Sequence, residues 1–290
     1  MNRVKLLDGY TLTHEHMTID LSPGDLGTTS FDSLLRDLKM AYHCGVRNVI
    51  DLTNQSMGRD PEYVQRLMDA TGMNIILSTG YYLERYIRNY IEDVAVSELS
   101  QQAVNDLTCG IGDSGLCAGV IGEIAWQHEG PSECEKKAWE AMSTAALETG
   151  AVVSTHPSRG IQQIPQAEYL IGRGIRPEKI VIGHIEFYPD DAALKSLLGK
   201  GVYIGLDMIG KLGRARDEYR ADTVRKVKDW GFLSQLTLSL DICRTEDLRT
   251  TGGYGYVHLF ETFLPMLKER GITQNDIEMM LKANPARIFA

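Results

Sequence analysis

Two histidines stand two positions apart, His14 and His16, in YTLTHEHMTID (residues 10–20). Far along the chain come Glu123 in LCAGVIGEI, His156 in AVVSTH, His184 in KIVIGH and Asp241 in LTLSLD. Imidazole nitrogens and carboxylate oxygens are the donors that zinc, manganese and cobalt accept. If YTLTH is a strand, His14 and His16 point to the same side, their Cβ atoms about 7 Å apart, and can share one cation. Taken alone, the pair suits equally two buried rings bonded to backbone carbonyls. Their meaning depends on the elements that position the other four groups.

A short β-rich run, a turn and an amphipathic helical pattern recur roughly every 35 residues. The runs are YTLTH (10–14), VRNVIDLT (46–53), MNIILSTG (73–80), LCAGVIGEI (116–124), AVVSTH (151–156), KIVIGH (179–184), VYIGLD (202–207) and LTLSLD (236–241). Most are nearly continuous apolar segments, as strands covered on both faces are. The helical patterns between them, FDSLLRDLKMAYHCG, PEYVQRLMDATG, CEKKAWEAMSTAALETG and TVRKVKDWGFL, each end at or near a glycine that can stop a helix. This alternation fits a (β/α)8 TIM barrel, an α/β fold, with a doubly wound sheet as the competing arrangement. No linker-like stretch divides the chain, so a single barrel domain over residues 1–290 is expected. The tail TQNDIEMMLKANPARIFA opens with a capping pattern, Thr273 and Asp276, and reads as one extra C-terminal helix packed on the barrel.

A barrel carries its chemistry at the carboxyl ends of its strands. Strand 1 ends in His14 and His16, strand 4 in Glu123, strand 5 in His156, strand 6 in His184, strand 7 in Asp207 and strand 8 in Asp241. Four imidazoles with Glu123 and Asp241 make the donor set of a metal site. Of the remaining histidines, His43 and His258 lie in helical patterns and read as surface or packing residues, whereas His128 follows strand 4 closely enough to approach the site. The formal net charge of −9 disfavours nucleic-acid or anionic-membrane surfaces and leaves a small-molecule substrate, or copies of the chain in a homodimer, as partners. Five cysteines without a C-x-x-C pair suggest reduced thiols and a cytoplasmic location. No apolar leader and no long apolar span argue for secretion or membrane crossing.

In their order, HEH after strand 1, the carboxylate after strand 4, STH and IGH after strands 5 and 6 and LSLD after strand 8 resemble the phosphotriesterase branch of the amidohydrolase superfamily. The likeness runs from GYTLTHEH to ANPARIFA, and HEHMTIDL, TGYY and DICRTEDLRTTGGYGY are similar to the phosphotriesterase-homology proteins within that branch. The resemblance implies that His14, His16 and Asp241 hold one metal, that His156 and His184 hold a second, and that a carboxylate bridges them. In phosphotriesterases proper the bridge is a carboxylated lysine. Here Glu123 stands at that place, with the same single negative charge and two oxygens. Asp241 is further implied to be catalytic, bonding the attacking hydroxide and carrying a proton to the leaving group.

Two divalent ions about 3.5–4 Å apart bring a shared water's pKa towards neutrality and polarise a carbonyl or phosphoryl oxygen, which is the chemistry of hydrolysis. Zinc is the expected metal, with manganese or cobalt as alternatives. The expected reaction is attack of the metal-bridging hydroxide on an ester or lactone carbonyl. Lys211 in DMIGK and Arg244 in DICR would stand on the catalytic rim and favour an anionic substrate, and Tyr82 in TGYY could line the pocket. Arg244 also resembles a residue of lactonases acting on phosphorylated sugar lactones, where basic rim residues and a tyrosine clamp the phosphate; Asp247 stands where that tyrosine is expected. TTGGYGYVH reads equally as a lid or a plain loop. The alternatives are a promiscuous phosphotriesterase, a mononuclear deaminase-like amidohydrolase and a metal-loaded binding barrel without catalysis.

Overall fold

The computed structural model describes residues 4–21, 30–127, 129–158, 162–187 and 190–289. Eight parallel strands, β1 (Tyr10–Glu15), β2 (Val46–Asp51), β3 (Asn74–Thr79), β4 (Ala118–Trp126), β5 (Val152–Pro157), β6 (Ile180–Ile182), β7 (Tyr203–Leu206) and β8 (Leu236–Leu238), follow one another around the sheet in sequence order. The helices are α1 (Phe31–His43), α2 (Pro61–Thr71), α3 (Glu84–Ile91), α4 (Val96–Thr108), α5 (Glu133–Thr149), α6 (Gln163–Gly172), α7 (Asp191–Gly199), α8 (Asp217–Asp229), α9 (Leu264–Glu269), α10 (Gln274–Glu278) and α11 (Asn284–Phe289). This is the α/β TIM barrel that the alternating runs imply. Helix starts follow local capping chemistry. Ser30 and Asp60 cap α1 and α2, and Ser132 with Glu135 forms a full capping box on α5.

The helices bury one stripe against the outside of the barrel. Leu34, Leu38 and Ala41 of α1 and Ala138, Ala141, Met142 and Ala145 of α5 belong to the same core as Leu12, Val49 and Ile121 of the strands. Below the amino ends of the strands, Ile288 and Phe289 of α11 join Ile50, Val152 and Tyr203. The tail begins with the reciprocal Thr273–Asp276 box, and a wider π-helical turn, Met279–Ala283, joins α10 to α11. Asn284 donates to the carbonyls of Leu233 and Leu236, fastening this helix to the start of β8. No helix of the described residues is long and apolar enough to cross a membrane.

Three strand ends differ from the apolar runs. β6 stops at Ile182 and β8 at Leu238, short of His184 and Asp241, which both have φ of 51°, a left-handed conformation outside strand geometry. β4 instead runs on to Trp126, beyond Glu123. Its register against β5 shifts between Ile121 and Ile124, which takes Glu123 out of regular pairing. α8 begins at Asp217, upstream of the TVRKVKDWGFL pattern, where Asp217 is held by Arg220 and His258.

A candidate metal centre in the barrel mouth

The site is organised around Asp207, just beyond β7. Its Oδ1 accepts from the His184 backbone N–H at 3.0 Å and lies 2.7 Å from His184 Nδ1, while Oδ2 lies 3.0 Å from His14 Nδ1. A carboxylate can only accept, so both rings carry their Nδ1 hydrogen towards Asp207 and turn Nε2 towards the cavity. Two glycines make room for it. A Cβ on Gly205 would lie 2.5 Å from Asp207 Oδ2, and one on Gly183 would lie 2.6 Å from the Thr155 carbonyl and 3.2 Å from Asp207 Oδ2. The glycines of IGL and IGH are thus fixed by close approach.

Glu123 fills the space between the rings. Its Oε2 is 2.9 Å from His156 Nδ1 and 3.2 Å from His14 Nε2, and its Oε1 is 3.7 Å from His16 Nε2. The Glu123 backbone is tied to the β2 end, donating to the Leu52 carbonyl and accepting from Asn54. Asp241 Oδ1 stands 3.3 Å from His16 Nε2, and its other oxygen takes Lys211 Nζ at 2.5 Å. Lys211 also lies 3.1 Å from the Cys243 sulfur. Tyr82 Oη is 3.2 Å from His156 Nε2.

These contacts separate the charges. Burial opposes ionisation of Glu123, but His156 and His14 outweigh it and hold the carboxyl well below its ordinary range. Asp207 is likewise lowered against burial by His184 and His14, and Asp241 by Lys211 and His16. Burial disfavours a charged His14, yet Asp207 and Glu123 overcome it and raise that ring well above its usual value. For His156 burial prevails and the value falls.

The donor set fits a metal. His14 Nε2 is buried with no well-directed hydrogen bond, and Asp207 fixes the opposite nitrogen, so once the ring is neutral a directed lone pair faces the space beside Glu123. Three overlapping groups have donor atoms within 4.8 Å of one another: His14, His16 and Glu123; Glu123, His156 and His184; and His14, His184 and Asp207. Glu123 is shared by the first two. Above them opens a cavity of about 810 Å³, lined by His16, Tyr82, Glu123, His156, His184 and Asp241 on its floor and by Arg85, Lys211, Arg214, Arg244, Asp247 and Tyr254 on its wall.

The residues expected to hold metal or meet substrate reach one region: His16, Tyr82, Glu123, His156, His184, Lys211, Asp241 and Arg244 line the cavity, and His14 lies just beneath them. Asp207, at a strand end but outside the expected donor set, orients the ring nitrogens of His14 and His184. Glu15, Arg85, Arg214 and Cys243 carried no signal in the sequence beyond closeness to motif residues. His43 is exposed at the end of α1, His258 bonds Asp217 at 2.7 Å, and His128 lies outside the described residues. In TTGGYGYVH, Tyr254 reaches the cavity wall, and the preceding Arg249 and Thr250 donate their backbone N–H groups to Asp37 of α1.

An eight-stranded α/β barrel with histidines and carboxylates gathered at the carboxyl ends of its strands has the layout and donor set of a metal-dependent barrel enzyme. Residues 4–289 match the phosphotriesterase family, and the chain belongs to it. It is 33% identical to the phosphotriesterase homology protein of Escherichia coli, over 97% of this chain and 98% of that one. The crystal structure of that protein, with phosphate in its active site, superposes with a TM-score of 0.94 over 97% of this chain and 99% of the other, at 33% identity. The aryldialkylphosphatase of Saccharolobus solfataricus is 27% identical, covering 97% of this chain and 95% of its own length. The phospho-furanose lactonase of Mycoplasmopsis synoviae is 26% identical, covering 97% and 88%.

Proposed function

We propose that this chain, as one barrel unit, is a binuclear metal-dependent hydrolase acting on an ester or lactone that carries an anionic group. His14, His16 and Asp241 would hold one divalent ion and His156 and His184 the other, with Glu123 between them; zinc is the expected metal, and manganese or cobalt the alternatives. When bound, such ions activate water near neutral pH and polarise the oxygen of the scissile group. The observation that carries the reading is Glu123, a buried carboxylate that stands among all four histidines: its Oε2 lies 3.2 Å from His14, 2.9 Å from His156 and 3.7 Å from His184, and its Oε1 lies 3.7 Å from His16.

The chain's own groups supply the rest. Asp207 orients His14 and His184. Lys211 neutralises Asp241 Oδ2 in the resting site, and a substrate anion competes for the same ammonium. When Lys211 turns to the substrate, Asp241 Oδ2 becomes free to accept a proton and pass it to the leaving group. Arg244 on the rim adds a second cation for the anion, and Tyr82 closes the wall beside His156. The phosphorylated sugar lactone favoured by the resemblance to lactonases is one member of this class, and the names of the phosphatase and lactonase relatives support hydrolysis.

The test is metal analysis of protein grown with zinc or manganese, joined to turnover of a panel of phosphorylated and unphosphorylated lactones, phosphotriesters and aminopurines. About two ions per chain and hydrolysis of anionic lactones are expected, and Glu123→Ala should lose at least one ion. A single ion unaffected by Glu123→Ala, with aminopurines as the sole substrates, points to the mononuclear deaminase reading instead. A metal-loaded chain that turns over nothing in the panel overturns the proposal.

A further inference from the structure

Glu15 lies between the two histidines of HEH, and strand alternation sends it to the opposite face from them, away from the metal donors. That face packs against the helices, where apolar side chains belong, yet Glu15 is fully buried. A carboxylate in such a place needs donors to offset its desolvation. It has three. Oε1 accepts from the Ser239 hydroxyl at 2.7 Å and the Leu240 N–H at 2.8 Å, and Oε2 accepts from the Ile242 N–H at 2.8 Å.

Those donors flank Asp241 on both sides. They also lie at the seam of the barrel, where β8 has ended at Leu238 and, among the described residues, no strand ladder joins it to β1. The bonds that cross here are individual ones. His14 N–H donates to the Ser239 hydroxyl at 3.0 Å, and Asp241 N–H donates to the His14 carbonyl at 3.2 Å. Asp241 itself has the left-handed φ of 51°, uncommon for a non-glycine residue though tolerated best by Asp and Asn. The bonds to Leu240 and Ile242 hold the backbone on either side of it.

We infer that Glu15 is the positioning residue for Asp241: its carboxylate takes the place of the missing ladder and aims the Asp241 side chain at His16. The inference rests on the metal-binding reading above and adds to it a residue that touches neither metal nor substrate. Glu15→Gln tests it at nearly constant volume. The amide oxygen can still accept from Ser239 and Leu240, but the amide nitrogen then faces the Ile242 N–H donor to donor.

The measurement is zinc affinity by chelator competition, with the melting temperature of the metal-free protein read in parallel. Glu15→Gln should weaken zinc binding by about 10- to 100-fold, the usual cost of losing a group that orients a ligand. In an Asp241→Ala background the same change should alter zinc affinity by less than about twofold, because its effect passes through Asp241. A general loss of packing would lower the melting temperature equally in both backgrounds without this non-additivity. If Glu15→Gln does not fold, Glu15→Asp, which keeps the charge but draws the carboxylate back by one methylene, should show a smaller loss with the same dependence on Asp241. Wild-type zinc affinity in the folded variant, or an equal loss with and without Asp241, overturns the positioning role. A wild-type chain that binds no zinc, manganese or cobalt overturns the metal reading first and this one with it.

Discussion

Asp207 Oδ2 stands 3.0 Å from His14 Nδ1, and through that contact a residue of β7's carboxyl end sets the direction of a ring on β1. The same carboxylate holds His184 by both ring and backbone. Asp207→Asn replaces one oxygen with an amide N–H that opposes one of the two ring hydrogens. We expect metal affinity to fall by about 10- to 100-fold, as for other outer partners of metal-bound histidines. Equilibrium dialysis against zinc checks this, and unchanged affinity removes Asp207 from the account.

Lys211 is shared between Asp241 and the cavity. Lys211→Met keeps most of the length and removes the charge. Losing a charge-assisted bond of about 1.5–3 kcal/mol should raise KM for an anionic lactone by roughly ten- to a hundredfold. A neutral lactone of the same ring should show a much smaller KM change. The ammonium also holds the Asp241 carboxyl down, so its loss raises that carboxyl, and the acid side of the pH–rate profile should move to higher pH. Steady-state kinetics on the two lactones decides the matter; equal effects on both would mean that Lys211 does not meet the anion.

Gly183 is constrained by its neighbours rather than by its own torsions. A Cβ there would lie 2.6 Å from the Thr155 carbonyl, a backbone atom of the adjacent strand. Gly183→Ala must push β6 from β5 or displace Asp207, and overpacking of this kind costs about 1–3 kcal/mol. Denaturant unfolding of the metal-free chain should show that loss, and a stability within a few tenths of the wild type would contradict the packing described here.

Much of this candidate site was legible because its histidines and carboxylates fall at the ends of separate strands, a pattern that a single buried histidine does not make. His156 lies at the end of β5 and His184 just beyond β6, and a barrel brings all such ends to one face. What escaped depends on tertiary partners. Neither SLD nor IGH announces that Asp241 and His184 turn left-handed, since the groups that hold them, Glu15 and Asp207, come from other strands. The β4 irregularity that aims Glu123 is set by pairing with β5. The start of α8 is set by Asp217, whose partners Arg220 and His258 lie along the helix and beyond β8.

Proton and metal compete for the same nitrogens, which gives the two forms opposite responses to pH. In the metal-free chain His14 and His184 have raised values, because Asp207 outweighs burial, and Glu15 is pushed by burial up to about 7. A raised histidine contributes stability that is complete below its unfolded value of about 6.5 and lost as pH climbs through the folded one. A raised carboxyl loses stability in the same direction, from its unfolded value of about 4.3 upward. Asp207, being lowered, contributes above about 3.9 and fails only in stronger acid. His156, lowered by burial, works the other way below about 6.5, but His14, His184 and Glu15 together outweigh it, so the metal-free protein should melt at a lower temperature at pH 8 than at pH 6. The metal-loaded protein should do the reverse, since binding requires neutral imidazoles and His14 must first give up its proton. Its affinity should begin to fall above pH 6.5, earlier on acidification than an unperturbed histidine would dictate. Parallel thermal melts of chelated and zinc-loaded protein across this range test the claim, and slopes of the same sign would show that the cluster does not exchange protons for metal.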